Sequence, residues 1–411
     1  MNTEAAPRAP VREAPPAPQP PARRQRIAIF APHLATPIRN GGDLYIWRKW
    51  GSLDPHRHAA RLFAADGVYE LAPAGWTRLG EQDSSSMRGK AAAAAHAVLA
   101  GGDYLSSRFD TPAYLARVRA NLAGSPDLAV YSLPSTWLHV APLVQGAGAS
   151  LVETHNYEPK FYLDRAAEGR GPFRMAAGMA AVRAHALLAR LPKDLPLVAL
   201  GAADAEIFRA LGHRTVLLSG LGYELEPPRA RFPDAGTVRI AFVAALSITM
   251  NVAAIRNFAD HGLPALRAAL GPSLAVHVAG SRPGPALVAR LRRGGIEVHA
   301  DPTDAQLADL LDGCHATILP FESSNGLKLK FATAAARGIP ILSYIQPPPE
   351  LAGAAAVLTS QDMAQWAAFL RRLAQPGALA QAARELQGIV SGRTWRACVQ
   401  GTLAALRLEA A

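Results

Sequence analysis

The sequence predicts an α/β protein of two doubly wound domains facing across a cleft. Three observations lead there. Apolar, β-branched runs alternate with helical stretches along nearly the whole chain, which is the pattern of parallel sheets covered by helices on both faces. A proline- and charge-rich break, GYELEPPRARFPDAG, interrupts this alternation near the middle of the 411 residues. Finally, His315 to Tyr344, HATILPFESSNGLKLKFATAAARGIPILSY, reads as strand, polar loop, helix and second strand, closed by Gly338 and Pro340. In open α/β sheets ligands bind at the carboxyl ends of strands, where helix N-termini offer unpaired N–H groups, so the expected guest of this crevice is an anion such as a nucleotide diphosphate.

Lysine usage points to the same crevice. Only six of the 43 basic residues are lysine, and two of them, Lys328 and Lys330, sit on this helix. An ammonium is a compact charge that suits phosphate, and Ser323, Ser324 and Asn325 supply capping or phosphate-facing groups at the helix start. A solvated helix face is the bland alternative for a lysine pair; the flanking Pro-Phe, Gly326 and Gly338-Ile-Pro weigh against it.

Composition bounds the function classes. Half the residues are hydrophobic and 18% are charged, so most of the chain folds. A net charge of +11 permits nucleic acid, an anionic membrane surface or a phosphorylated substrate. The arginines are scattered and no nucleic-acid-binding signature occurs, so no nucleic-acid partner is expected. Cys314 and Cys398 are the only cysteines, which excludes a disulfide framework and a cysteine metal cluster and fits a reducing compartment. Without a signal-type apolar segment or a bilayer-length run, the expected location is the cytoplasm, with a peripheral place at the inner membrane face allowed by the charge.

Residues 1–24 form a Pro/Arg-rich tail that buries little and is expected to be disordered. RIAIFAP is a buried strand leading into a loop with Gly41-Gly42 before an aromatic helix. The alternation continues through helical KAAAAAHAVLAG and TPAYLARVRANL, strand DLAVYSLP and helical WLHVAPLVQGAG. ASLVETHNYEPKFY then ends a strand in Glu153, Thr154, His155, Asn156 and Glu158, a polar density that marks a crevice, although an isolated histidine there is more often a structural hydrogen-bonder. Helical GPFRMAAGMAAVRAHALLARL, strand DLPLVALG, helix AADAEIFRALG and strand TVLLSG complete the first domain. The second runs VRIAFVAAL (strand), NVAAIRNFADHGLPAL (helix), SLAVHVAGS (strand), PALVARLRRGG (helix), IEVHA (strand) and DAQLADLLDG (helix) before the central unit. After it, residues 355–390 and RTWRACVQGTLAALRLEAA read as helical. The expected divisions are thus a 1–24 tail, a 25–222 first domain, a 223–236 linker, a 237–390 second domain and a 391–411 closing helix.

Taken in order, these stretches resemble the GT-B glycosyltransferases, in particular the retaining, nucleotide-sugar-dependent glycosyl transferases of group 1 (family 4-like). The Gly41-Gly42 loop is similar to that family's glycine-rich loop, VETHNYE to its His-containing strand end, and FVAALSITMNVAAIRNF to the opening of its donor domain. VHVAGSRP resembles the strand and glycine turn before the base, ILPFESSNGLKLKFATAAARGIPILS the main donor signature, and RTWRACVQGTLAAL the closing helix. The resemblance implies two Rossmann-like domains and retaining sugar transfer from a nucleotide diphosphate sugar to a polysaccharide, lipid-linked or other glycan precursor. It implies no cofactor and no catalytic metal. By resemblance Lys330 and Lys328 contact the diphosphate, with Gly41 and Gly42 facing it from the acceptor side. Ser324, Asn325, Gly326, Leu327, Thr333 and Gly280 would line the sugar and nucleotide pocket, and His155 would lie near the sugar as the catalytic candidate. Where the family commonly has two glutamates this chain has Asn325 and Thr333, and Met250 replaces a frequent basic residue. A catalytically degenerate protein that binds a nucleotide, sugar or partner stays open as the alternative, as does another reaction such as epimerisation.

Overall fold

The computed structural model describes residues 23–38, 41–80, 111–168, 171–227, 229, 232–233, 236–322 and 329–408. Most of the expected tail, the KAAAAAHAVLAG helix and the Ser323–Lys328 loop lie outside them.

Two sheets form the frame. The first has eight strands: β1 Gln25–Ala31, β2 His58–Ala64, β3 Gly67–Ala72, β4 Gly75–Leu79, β5 Leu128–Ser132, β6 Ala149–Glu153, β7 Leu197–Ala199 and β8 Val216–Leu218, in the order β4-β3-β2-β1-β5-β6-β7-β8. Its helices are α1 Gly41–Gly51, α2 Pro112–Asn121, α3 Pro134–Val140, α4 Glu158–Glu168, α5 Gly171–Arg190 and α6 Ala202–Ala210. The second sheet has six: β9 Val238–Val243, β10 Leu274–Gly280, β11 Glu297–Ala300, β12 Ala316–Leu319, β13 Ile341–Ser343 and β14 Val357–Thr359, ordered β11-β10-β9-β12-β13-β14 and parallel throughout. Around it lie α7 Thr249–Asn257, α8 Leu263–Leu270, α9 Pro285–Arg293, α10 Asp304–Asp312, α11 Leu329–Ala336, α12 Met363–Leu373 and α13 Ala378–Val390.

The central strands are apolar runs because both faces are covered: β5 is buried along its whole length and β1 over its last five residues. Each sheet reverses its strand order once, between β1 and β5 and between β9 and β12. Those reversals open the crevices in which ligands of doubly wound sheets sit.

Several local expectations are corrected. Gly41 and Gly42 do not form a loop; they are the first residues of α1, where N–H groups have no intrahelical partner and a missing side chain leaves them accessible. Not all strands are parallel: β3 pairs antiparallel with β2 and β4 antiparallel with β3, the second return being made at Pro73-Ala74 with Gly75 at φ 107°. The helix read over 251–266 breaks at Phe258–Gly262 into a wider turn, since Pro264 has no N–H to continue the ladder. Residues 355–390 hold strand β14 before two helices, which Pro376 and the left-handed Gly377 separate. The end of α11 agrees with its sequence: Gly338 at φ 69° lets its N–H reach the Ala335 carbonyl and that of Ile339 the Ala334 carbonyl, satisfying the last carbonyls of the helix.

The chain passes between the sheets twice. Tyr223 pairs with Thr394, its N–H donating to the Arg393 carbonyl at 2.8 Å. The last helix, α14 Trp395–Ala405, then packs on α1, with the Trp395 ring 5.7 Å from that of Tyr45. One hydrophobic cluster therefore runs from Ile46 and Trp50 through Tyr223, Trp395 and Val399 to Phe242 and Ile318 of the second sheet.

Candidate functional site

The crevice of the second sheet opens onto α1 of the first. A cleft of about 560 Å³ is lined by Ile38, Gly41 and Leu44 on one side and by Val243, Ala244, Ala245, Ile248, Asn251, Gly280, Ser281, Asp301, Pro302, Leu307, Leu329, Lys330 and Thr333 on the other. The walls come close: a Cβ added to Gly41 would lie 3.3 Å from Leu329 Cδ1. The first turn of α1 thus faces the first described turn of α11, and Lys330 joins them in lining one volume, where helix N-termini favour negative charge. Lys330 Nζ also lies 5.6 Å from the centroid of the Phe321 ring at the end of β12.

Backbone approach shapes the floor. An added Cβ at Gly280 would lie 1.7 Å from the Ala244 carbonyl oxygen, so only glycine lets β10 end against the β9 turn. Buried Asn251 donates from Nδ2 to the Ala245 carbonyl at 2.9 Å and pins that turn. Asp301, at φ 47°, is held by its N–H on the Gly280 carbonyl and by a carboxylate that accepts the Arg282 N–H at 2.8 Å. Among the described cleft residues, Lys330 and Asp301 are the charged ones. The Thr333 hydroxyl donates to the Leu329 carbonyl at 3.3 Å, which leaves its oxygen as an acceptor toward the cleft.

The structure brings Gly41, Gly280, Lys330 and Thr333 together. Gly42 follows Gly41 in the same turn but does not line the cleft. Ser324, Asn325, Gly326, Leu327 and Lys328 lie outside the described residues. Asp301 was missed in the sequence; the polar Asp-Pro step after a strand was the available signal.

His155 belongs to a second group, at the carboxyl ends of neighbouring strands β1, β5 and β6. His33 Nδ1 lies 2.7 Å from Asp43 Oδ1, its Nε2 lies 2.8 Å from Ser132 Oγ, and Ser132 Oγ lies 3.0 Å from His155 Nε2. These contacts link His155 through Ser132 and His33 to Asp43 of α1 and fix the orientation of both rings. Burial, and next the neighbouring His33, hold the His155 pKa down to about 3. At neutral pH this imidazole is therefore uncharged and supplies no imidazolium proton.

Glu153, the strand-end carboxylate beside it, is structural. It forms a fully buried ion pair with Lys49, and its other oxygen accepts Trp50 Nε1–H at 2.8 Å. Lys49 Nζ further donates to Ser219 Oγ at 3.0 Å and Tyr45 OH at 3.1 Å, and Ser219 Oγ lies 3.1 Å from Cys398 Sγ on α14. Burial raises the thiol pKa of both cysteines, that of Cys314 to about 12, so neither is a reactive thiolate.

Comparison with known proteins follows the same division. Residues 237–376 match the family model described as glycosyl transferases group 1. No curated protein sequence matches the chain. Among solved structures, OtsA, a trehalose-6-phosphate synthase, aligns over 94% of this chain and 100% of that chain with a TM-score of 0.61 at 12% identity. HepE of Anabaena, solved with UDP, aligns over 93% of this chain and 100% of that chain, with a TM-score of 0.58 at 14% identity. TarM aligns over 71% of this chain and 58% of that chain, with a TM-score of 0.51 at 11% identity. At these identities the structural likeness establishes the fold, and the sequence match establishes the second domain. The chain has the GT-B fold, and within its second domain residues 237–376 match the model of the glycosyl transferases group 1.

Proposed function

We propose that the chain is a metal-independent glycosyltransferase that moves a sugar from a nucleotide diphosphate sugar to an acceptor with retention. The observation that carries this reading is the convergence of the α1 and α11 N-terminal turns and Lys330 on one cleft beside Gly280. In the reaction the bond between the anomeric carbon and the diphosphate breaks, and negative charge grows on the leaving phosphate. Fixed N–H dipoles and the Lys330 ammonium oppose that charge without reorganising, which is the electrostatic part of the catalysis. Lys328, Asn325, Gly326, Leu327 and Ser324 would complete the phosphate and sugar side, and Gly42 the first turn of α1. Asp301 and the Thr333 oxygen are the acceptors available to ribose or base hydroxyls and N–H groups. His155 would hydrogen-bond a hydroxyl of the transferred sugar, its ring oriented by Ser132, His33 and Asp43. The solved HepE complex with UDP-glucose supports a nucleotide-sugar donor for this fold.

The acceptor would be a glycan precursor, and a membrane-linked one fits the outer face of the first domain. Met175, Met179 and Val182 are exposed on one stripe of α5, with Arg174 and Arg183 flanking it. That arrangement suits peripheral contact with anionic lipid from the cytoplasmic side. No helix among the described residues is long and apolar enough to cross a membrane.

A thermal-shift panel of nucleoside diphosphates and their sugars tests the donor, because a ligand of the folded state raises the melting temperature. Calorimetry of Lys330→Ala with the preferred ligand is then expected to show at least about tenfold weaker binding, roughly 1.4 kcal/mol. Unchanged affinity would remove Lys330 from the diphosphate site. Thr333 in a place where the family commonly has glutamate favours a second reading, a donor-binding protein without turnover. Tight donor binding with neither transfer nor slow hydrolysis to free sugar would select it.

A further inference from the structure

Away from the cleft, three side chains on the edge of the second sheet form an unassigned constellation. His277 of β10 stands directly opposite Glu297 of the edge strand β11, and His299 lies two residues further along β11, on the same side of the pleat. His277 Nδ1 is 3.3 Å from His299 Nε2 and 3.3 Å from Glu297 Oε2, and His299 Nε2 is 3.3 Å from Glu297 Oε1.

These separations decide between two readings. For direct hydrogen bonds, 3.3 Å lies beyond the usual range of about 2.7–3.2 Å. For ligands of one tetrahedral ion at about 2.0–2.1 Å, the ligand-to-ligand edge is about 3.3–3.4 Å; the two histidine nitrogens match it, and each lies at that distance from one of the two Glu297 oxygens, so a small turn of the carboxylate presents one oxygen to both. The donor set, two imidazoles and one carboxylate, is that of borderline cations such as zinc. Exposure is graded in the same sense: the His277 side chain is 12% exposed, His299 31% and Glu297 63%, so the triad opens to solvent on one side. A fourth, solvent-facing position stays available to water.

We propose that His277, Glu297 and His299 bind one divalent transition-metal ion, with Zn²⁺ as the reference ligand. The ion joins β10 to edge strand β11, one residue before Ala300 ends that strand and Asp301 enters the cleft. It stabilises the edge rather than taking part in sugar transfer, and its existence is independent of the donor assignment.

The test uses the full chain without an affinity tag, so that no foreign histidines compete. Calorimetry with Zn²⁺ at neutral pH is expected to show about one equivalent bound with micromolar affinity, and Co²⁺ loading to give the strong visible absorption of a tetrahedral site. His299→Ala and Glu297→Ala, both at solvent-accessible positions, are each expected to weaken Zn²⁺ binding at least tenfold while far-UV circular dichroism is retained. Absence of stoichiometric binding at about 100 µM Zn²⁺, or equal affinity in both variants and the parent, would overturn the proposal.

Discussion

His155 shows what one side chain contributes and how to measure it. Its pKa near 3 in the folded chain lies below the value of about 6.5 expected once unfolded. Above pH 6.5 the ring is neutral in both states and adds no pH dependence. Between about 6.5 and 3 the unfolded chain takes up a proton that the native ring refuses, so stability falls as pH falls, by up to about 1.4 kcal/mol per unit. His155→Gln, which keeps a donor for Ser132 and cannot titrate, is expected to lose less stability than the parent between pH 7.5 and 5 in urea unfolding. Equal losses would mean that this ring titrates normally. The histidine was legible in VETHNYE as a crevice residue, but its partners were not. Asp43, His33 and Ser132 lie on three other segments, and only the β1-β5-β6 strand order brings them to it. Glu153 was read beside it as polar density, whereas Lys49, four residues after Tyr45 on α1, takes it into a buried pair that sequence spacing does not reveal.

At the level of elements, hydrophobic period placed the long buried strands and the well-capped helices, because parallel strands covered on both faces are continuous apolar runs. Short pieces escaped. Strand β14 spans Val357–Thr359 and gains its identity from β13 beside it, while β3 and β4 depend on a turn at Pro73-Ala74 for their antiparallel return. The donor-side cleft rests on one element junction, where β10 ends against the β9 turn. Gly280→Ala forces a methyl against the Ala244 carbonyl, and this is expected to destabilise the fold by about 1–3 kcal/mol and to weaken nucleotide binding, since both residues line the cleft. Gly284→Ala, where an added methyl meets open space outside the cleft, is the control, with a small effect on either. Parent-like urea unfolding and calorimetry for Gly280→Ala would show that the junction yields easily.

For the whole molecule, two doubly wound domains were legible from the alternation and the mid-chain break. The packing that joins the halves was not. Gly222 is the tightest point, since a Cβ there would lie 2.3 Å from the Trp395 ring. Gly222→Ala is therefore expected to lower the melting temperature and to cost about 1–3 kcal/mol, read by differential scanning calorimetry. A variant melting with the parent would place the union of the halves elsewhere in the shared cluster. The two chain passages at Tyr223 and Thr394 have one further consequence. Lying side by side and bonded to each other, they lean on one another, so a change that breaks the Tyr223–Arg393 bond loosens both connections between the sheets at once rather than one of them.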